Sequence, residues 1–115
     1  MKIVFATGNP HKLEEINAIS KGSGIEFVLP EQGFAPIENG FTFEENSLIK
    51  AKEANRVSKT LALADDSGLC VEALGGAPGI YSARYMGEDT SYDIKNNNIL
   101  ERMKGVPTEK RTARF

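Results

Sequence analysis

Residues 2–15, KIVFATGNPHKLEE, run from an apolar segment through a polar turn into the start of a helix. Ile3, Val4, Phe5 and Ala6 are consecutive apolar residues, the pattern of a short strand buried on both faces. Pro10 suits the first helical position, where its missing N–H is no loss. Leu13, Ile16 and Ile19 then recur every three residues and predict one buried stripe up to about Lys21, with Gly22 and Gly24 as the stop. A buried strand feeding a helix opens an α/β layered fold. The same stretch poses an electrostatic question. A helix N-terminus carries about half a positive charge, so a first-turn Lys12 costs about 0.3–1 kcal/mol unless something offsets it.

Outward from this stretch, strand-like and helix-like segments keep alternating. Residues 25–29 read as a second strand ended by Pro30, and residues 31–40 as a loop. Thr42-Phe43-Glu44-Glu45 fits the S/T-x-x-E capping box, with Thr42 as N-cap of a helix whose apolar face is Leu48, Ala51, Ala54 and Val57. Residues 61–64 form another short apolar strand, broken by Asp65-Asp66-Ser67-Gly68. Residues 69–74 resume as a strand, and residues 75–79 read as a glycine-rich loop. A third helix is predicted from Thr90 or Ser91 to Lys104, stopped by Gly105 with Pro107 beyond, and residues 111–115 look like the start of a strand. No repeat, low-complexity tract or linker interrupts the 115 residues, which are expected to form a single domain.

Composition narrows the function classes. Hydrophobic content of 40% and charged content of 26% are ordinary for a globular protein. A net charge of −2 argues against a general nucleic-acid surface or an anionic-membrane surface. The single cysteine, Cys70, lies between Leu69 and Val71 and reads as a core or strand thiol. No apolar run approaches the ~20 residues of a membrane span, and Met1-Lys2 leads directly into a strand pattern, so a cytoplasmic protein is expected.

Four places could carry chemistry, each with a plain structural alternative. Thr7, Gly8, Asn9, Pro10, His11 and Lys12 link a buried strand to a helix, a usual place for holding an anion on backbone N–H groups. This is neither a Walker A loop nor G-x-G-x-x-G, and Lys12 in plain solvent is the alternative. Asp65 and Asp66 end a buried strand, where ligands bind open α/β sheets, and adjacent carboxylates favour Mg²⁺ or another positive partner. In a continuous strand only one of them would face a cleft, and an Asp-Ser-Gly turn explains both equally well. Glu38 has no evident structural duty, Glu45 is explained by the capping box, and a solvated pair with Glu53 is the bland reading for Lys50. The stretch 75–85, GGAPGIYSARY, could wrap a flat ligand with Tyr81, Arg84 and Tyr85.

Composition and spacing alone lead to an α/β domain that binds a phosphorylated small molecule with Mg²⁺. Resemblance goes further. The strings FATGNPHKLEE, ENGFTFEENSLIKA and ADDSGLCVEALGGAPGIYSARY, in this order, strongly resemble the inosine triphosphate pyrophosphatase family. These enzymes remove non-standard purine nucleoside triphosphates such as ITP, dITP and XTP. The resemblance covers nearly the whole chain. It implies a mixed elongated sheet flanked by helices, a nucleotide cleft between two lobes, and a homodimer. The reaction it implies splits a triphosphate into monophosphate and pyrophosphate with Mg²⁺.

Matched by motif, the resemblance assigns the triphosphate grip to Thr7, Gly8, Asn9, Pro10, His11 and Lys12, with Lys12 and Lys50 as neutralising cations. Asp66 matches the proton acceptor and a metal ligand, Ser67 a substrate contact, and Glu38 a metal-side carboxylate. Glu45 matches an acid of the family motif, where a metal role and a capping role both remain open. A septum-inhibitor-type nucleotide pyrophosphatase is a weaker resemblance, opposed by the TGN-x-x-K opening. Family members continue past the point where this chain stops, and the segments that close the site and read the base lie in that later half. The expectation is therefore an N-terminal part of the family fold, with an enzyme as the leading reading. The alternative is a non-catalytic remnant that binds nucleotide or a partner chain.

Overall fold

The computed structural model describes residues 1–115 and divides into two compact units, Met1–Asp66 and Ser67–Phe115. In the first unit, strand β1 (Lys2–Phe5) leads to helix α1 (Pro10–Ile19), strand β2 (Glu26–Val28), helix α2 (Phe43–Ser58) and strand β3 (Ala62–Leu63). The sheet order is β2-β1-β3 and both pairings are parallel, with Val4 opposite Val28 on one side and Ala62 on the other. A central parallel strand is covered on both faces, which is why residues 3–6 read as an unbroken apolar run. Val4, Ala6 and Ala54 form the core, with Val28, Phe34, Ala62 and Ala64 packed against it. The rings of Phe5 and Phe27 meet edge to face at 6.4 Å. Because β1 is central, the turn after it, residues 7–9, and the segment after β3, residues 64–66, leave the same end of the sheet.

The apolar spacing is reproduced only in part: Leu13 and Ile16 of α1 are half-buried and Ala54 of α2 is buried, whereas the other large apolar positions are exposed. In α1 no residue is fully buried, and Ile19 is 84% exposed. The helix is instead tied to the sheet edge by Asn17, whose amide donates to the Phe27 carbonyl and accepts from the Phe27 N–H, each at 2.9 Å. An edge strand leaves backbone groups unpaired, and one asparagine satisfies both of them. In α2 the buried positions are Asn46 and Ala54, whereas Leu48 is 53% and Val57 43% exposed. The line facing inward is Asn46, Lys50 and Ala54, at i, i+4 and i+8, and it is polar where it approaches the site.

The second unit contains β4 (Cys70–Val71), β5 (Ala77–Pro78), helix α3 (Tyr92–Arg102) and β6 (Ala113–Arg114). Its sheet is antiparallel in the order β5-β4-β6, with Cys70 opposite both Pro78 and Arg114. The mixed strand pairing implied by the resemblance is thus present, distributed over two three-stranded sheets. The predicted strand over residues 69–74 ends at Val71, because Glu72–Leu74 form a 3₁₀ turn closed by Gly75 in the left-handed region (φ +69°). Residues 75–79, expected as a loop, instead supply β5. Ser91 caps α3 by accepting from the Ile94 N–H, and Gly105 follows its end with φ +86°. Lys95 is buried on α3 and donates to the Ala83 carbonyl at 2.8 Å. No helix is long and apolar enough to cross a membrane.

Gly68 shows how tightly the second unit closes. A Cβ at this position would lie 2.2 Å from the Gly79 carbonyl oxygen and 2.6 Å from Ser82 Oγ. The Ser82 hydroxyl is itself fixed, accepting from the Leu69 N–H at 2.9 Å and donating to Gly79 O at 2.7 Å. Gly68→Ala is therefore expected to lower stability by about 1–3 kcal/mol through overpacking against backbone. Urea unfolding checks this, and a midpoint like that of the parent chain would show that residues 79–82 give way freely.

Candidate active site

The opening turn is organised by its own side chains. The Thr7 hydroxyl accepts from the Asn9 N–H at 3.1 Å, and Asn9 Oδ1 accepts from the His11 N–H at 3.0 Å, making Asn9 the N-cap of α1 with Pro10 at its first position. Thr7 is buried, and Gly8, Asn9 and Pro10 are exposed. His11 is exposed and lies 3.8 Å from Glu14. The first turn of α1 contains no acidic residue. The anion that offsets Lys12 is Asp65, whose Oδ2 lies 3.0 Å from Lys12 Nζ. The electrostatic question posed by the opening stretch has a tertiary answer, 53 residues along the chain.

Lys50 has the central place in the cluster. It does not pair with Glu53, because the Arg56 guanidinium takes both oxygens of that carboxylate, Nε to Oε2 at 2.9 Å and Nη2 to Oε1 at 2.6 Å. The hydrogen bonds from Arg56 hold the Glu53 carboxyl below its usual range. The Lys50 side chain, 13% exposed, reaches inward instead. Its Nζ donates to the Asp65 carbonyl oxygen at 2.5 Å and lies 3.7 Å from Asp66 Oδ1 and 3.8 Å from Glu38 Oε1.

Residues 64–66 are not in a strand, so the alternation that would have sent Asp65 and Asp66 to opposite faces does not apply. Each carboxylate finds a lysine, Asp65 through Lys12 and Asp66 through Lys50. One oxygen of each, Asp65 Oδ1 and Asp66 Oδ2, is buried without a hydrogen-bond partner. Buried carboxylate oxygens are seldom left unpaired, so each of these calls for a partner that the chain itself does not supply.

Glu45 receives a structural assignment. Thr42 Oγ1 accepts from the Glu45 N–H at 3.0 Å, as the capping box requires, and Glu45 Oε2 accepts from the Phe41 N–H at 2.7 Å. The reciprocal arm thus falls one residue before the N-cap. Glu45 is a cap, whereas Glu38 faces Lys50.

The structure brings Glu38, Lys12, Lys50 and Asp66 into one cluster, together with Asp65, which the sequence reading left without a role of its own. Asp65 was detectable only as half of a repelling pair. Ser67 is exposed and is the first residue of the second unit. No three acidic, histidine or cysteine side chains converge as a ready-made metal cage.

The comparisons with known proteins bear on the family of the chain. A dITP/XTP pyrophosphatase of Xanthomonas campestris pv. campestris (strain 8004) is 50% identical over 115 residues, which is 98% of this chain and 58% of that protein. The dITP/XTP pyrophosphatase of Escherichia coli (strain K12) is 47% identical over 116 residues, covering 99% of this chain and 59% of the relative. A HAM1 protein structure from Coxiella burnetii superposes with a TM-score of 0.87 at 36% identity, over 98% of this chain and 58% of that one. The Staphylococcus aureus Ham1 protein gives 0.83 at 35% identity with the same coverage. The chain therefore spans a little under three fifths of the length of the curated relatives it matches. The Ham1 family model matches residues 3–115, and the chain belongs to the Ham1 family.

Proposed function

We propose that this chain carries the phosphate-gripping and proton-accepting part of a Mg²⁺-dependent nucleoside triphosphate pyrophosphatase acting on non-standard purine nucleotides such as ITP, dITP and XTP. The observation that carries the reading is Asp66. Its Oδ1 lies against the Lys50 ammonium while its Oδ2 is buried and unpartnered, the disposition of a base held ready for a proton. The names of the relatives, dITP/XTP pyrophosphatases at up to 50% identity, supply the substrate class. The same reading makes the chain cytoplasmic and pairs it with a second copy.

Mg²⁺ fits the residues present. Two ammoniums against three carboxylates leave the cluster one negative charge, the wrong sign for receiving a triphosphate. A hard divalent cation corrects that sign, and the Glu38 and Asp66 carboxylates beside Lys50 are hard oxygen donors suited to one. Glu38 and Asp66 would hold the ion, a small carboxylate set of the kind Mg²⁺ takes when phosphates complete its shell. When bound, it supplies charge neutralisation of the triphosphate.

The side chains do the rest. The Thr7-to-Lys12 turn grips the phosphate chain, with Lys12 turning from Asp65 to a phosphate oxygen and Lys50 holding the acids in register. Ser67 adds a substrate contact. A water oxygen forms a bond to the α-phosphorus, and the bond from that phosphorus to the bridging oxygen breaks. Pyrophosphate leaves, and the water proton goes to Asp66 Oδ2.

Two experiments follow. With ITP and Mg²⁺, pyrophosphate release by the 115-residue chain should fall about 10²–10⁴-fold in Asp66→Asn, with nucleotide binding largely retained. Near-normal turnover in that variant would remove Asp66 as the base, and binding without any turnover in the parent chain would mark a non-catalytic nucleotide binder. Lys50→Met should cost about 2–3 kcal/mol of stability at neutral pH, less than the loss from breaking a fully buried pair. Urea unfolding reads this out, and a parent-like midpoint would show that Glu38 and Asp66 keep their places without the cation.

A further inference from the structure

Asn46 is the largest fully buried side chain in the molecule, with 0% exposure. It stands on the inward line of α2 one turn before Lys50, in a position that an apolar residue would fill at less cost. Its Oδ1 accepts from the Gly40 N–H at 2.8 Å. That donor fixes which end of the amide faces Gly40, and leaves Nδ2 buried without a partner. An unpaired buried amide costs stability, so packing does not account for it.

The bond to Gly40 is built from both sides. A Cβ on Gly40 would lie 2.6 Å from Glu45 Cβ and 2.8 Å from Asn46 Oδ1, so only glycine lets the loop come this close to α2. Two residues before Gly40 stands Glu38, whose Oε1 lies 3.8 Å from Lys50 Nζ. The first two turns of α2 therefore hold the loop at two points, at Gly40 through Asn46 and at Glu38 through Lys50.

We propose that Asn46 is the positioning residue for Glu38, its amide docking Gly40 on α2 so that the Glu38 carboxylate is held beside Lys50 and Asp66. The inference rests on the reading of Glu38 as a metal-side carboxylate, and it adds a residue to which nothing in that reading gives a part. Asn46 touches neither substrate nor metal; it acts by setting the loop.

The test uses the 115-residue chain with Mn²⁺ as a paramagnetic substitute for Mg²⁺ and no nucleotide present. Binding is followed by water-proton relaxation, and exchange of the Gly40 amide by NMR. Asn46→Ala should weaken Mn²⁺ binding about 10–100-fold, the usual loss when a support behind a metal ligand is removed. It should also speed Gly40 exchange while β1 amides stay protected. Asn46→Asp keeps the acceptor and should keep Gly40 protected. Gly40→Ala breaks the same contact from the other side, and the double variant should bind Mn²⁺ no more weakly than the weaker single one. Thr42→Ala, which removes only the helix cap, should lower the melting temperature and leave Mn²⁺ affinity unchanged. Parent-like Mn²⁺ affinity and Gly40 protection in Asn46→Ala would overturn the proposal. Failure of the parent chain to bind Mn²⁺ would instead overturn the metal reading, and Gly40 exchange would then decide alone whether Asn46 sets the loop.

Discussion

The first unit depends on one ammonium. Lys50 Nζ meets the Asp65 carbonyl oxygen, the Asp66 carboxylate and the Glu38 carboxylate, which come from two separate stretches of chain. Acids brought this close together repel one another, and partial burial strengthens the repulsion by lowering the local dielectric. A single cation among them turns that repulsion into a fixed arrangement. Lys12 does the same for Asp65 from the other side, so the segment after β3 is held between two lysines.

This requirement explains the unusual face of α2. A helix on a parallel sheet normally buries an apolar stripe, and Leu48, Ala51, Ala54 and Val57 supply a plausible one. The helix keeps Ala54 of that stripe buried and adds Asn46, with Lys50 largely enclosed and Leu48 and Val57 left in solvent. The apolar burial forgone at Leu48 and Val57, on the scale of about 1.5–3 kcal/mol for each fully buried side chain, is the cost of aiming Lys50 at the acids. Arg56 assists by occupying Glu53, the nearest alternative partner of Lys50 on its own helix.

In the second unit, the GGAPGIYSARY stretch divides its aromatic residues between two tasks. The Tyr85 hydroxyl donates to Asn98 Oδ1 and accepts from Arg102 at 2.9 Å, so Tyr85 ties this segment to α3. Lys95 reinforces the tie through the Ala83 carbonyl. Tyr81 stays 55% exposed with the Arg84 guanidinium 5.4 Å from its ring centroid. Of the three side chains that the sequence offered for stacking or charge, one is committed to the fold and two form an exposed cation–π pair.

The sequence by itself determined the local features. The apolar run of β1, Pro10 at the start of α1, the capping box at Thr42 and the Gly105 stop depend on neighbours within a few residues, and all of them appear where the pattern places them. It also marked Lys12, Glu38 and Asp66 as candidates for charge chemistry from their places in a helix start, a loop and a turn, whereas Lys50, in the middle of α2, entered the site only through the resemblance. Tertiary structure decided everything that depended on which charges meet. Spacing linked Lys50 to Glu53, whereas the fold gave Glu53 to Arg56 and Lys50 to Glu38 and Asp66. Asp65 acquired its partner 53 residues away, and a buried asparagine on α2 replaced the expected leucine. The physical reason is range: caps and turns are settled within one turn of chain, but the partner of a charge is chosen by three-dimensional distance and by what else is left unpaired.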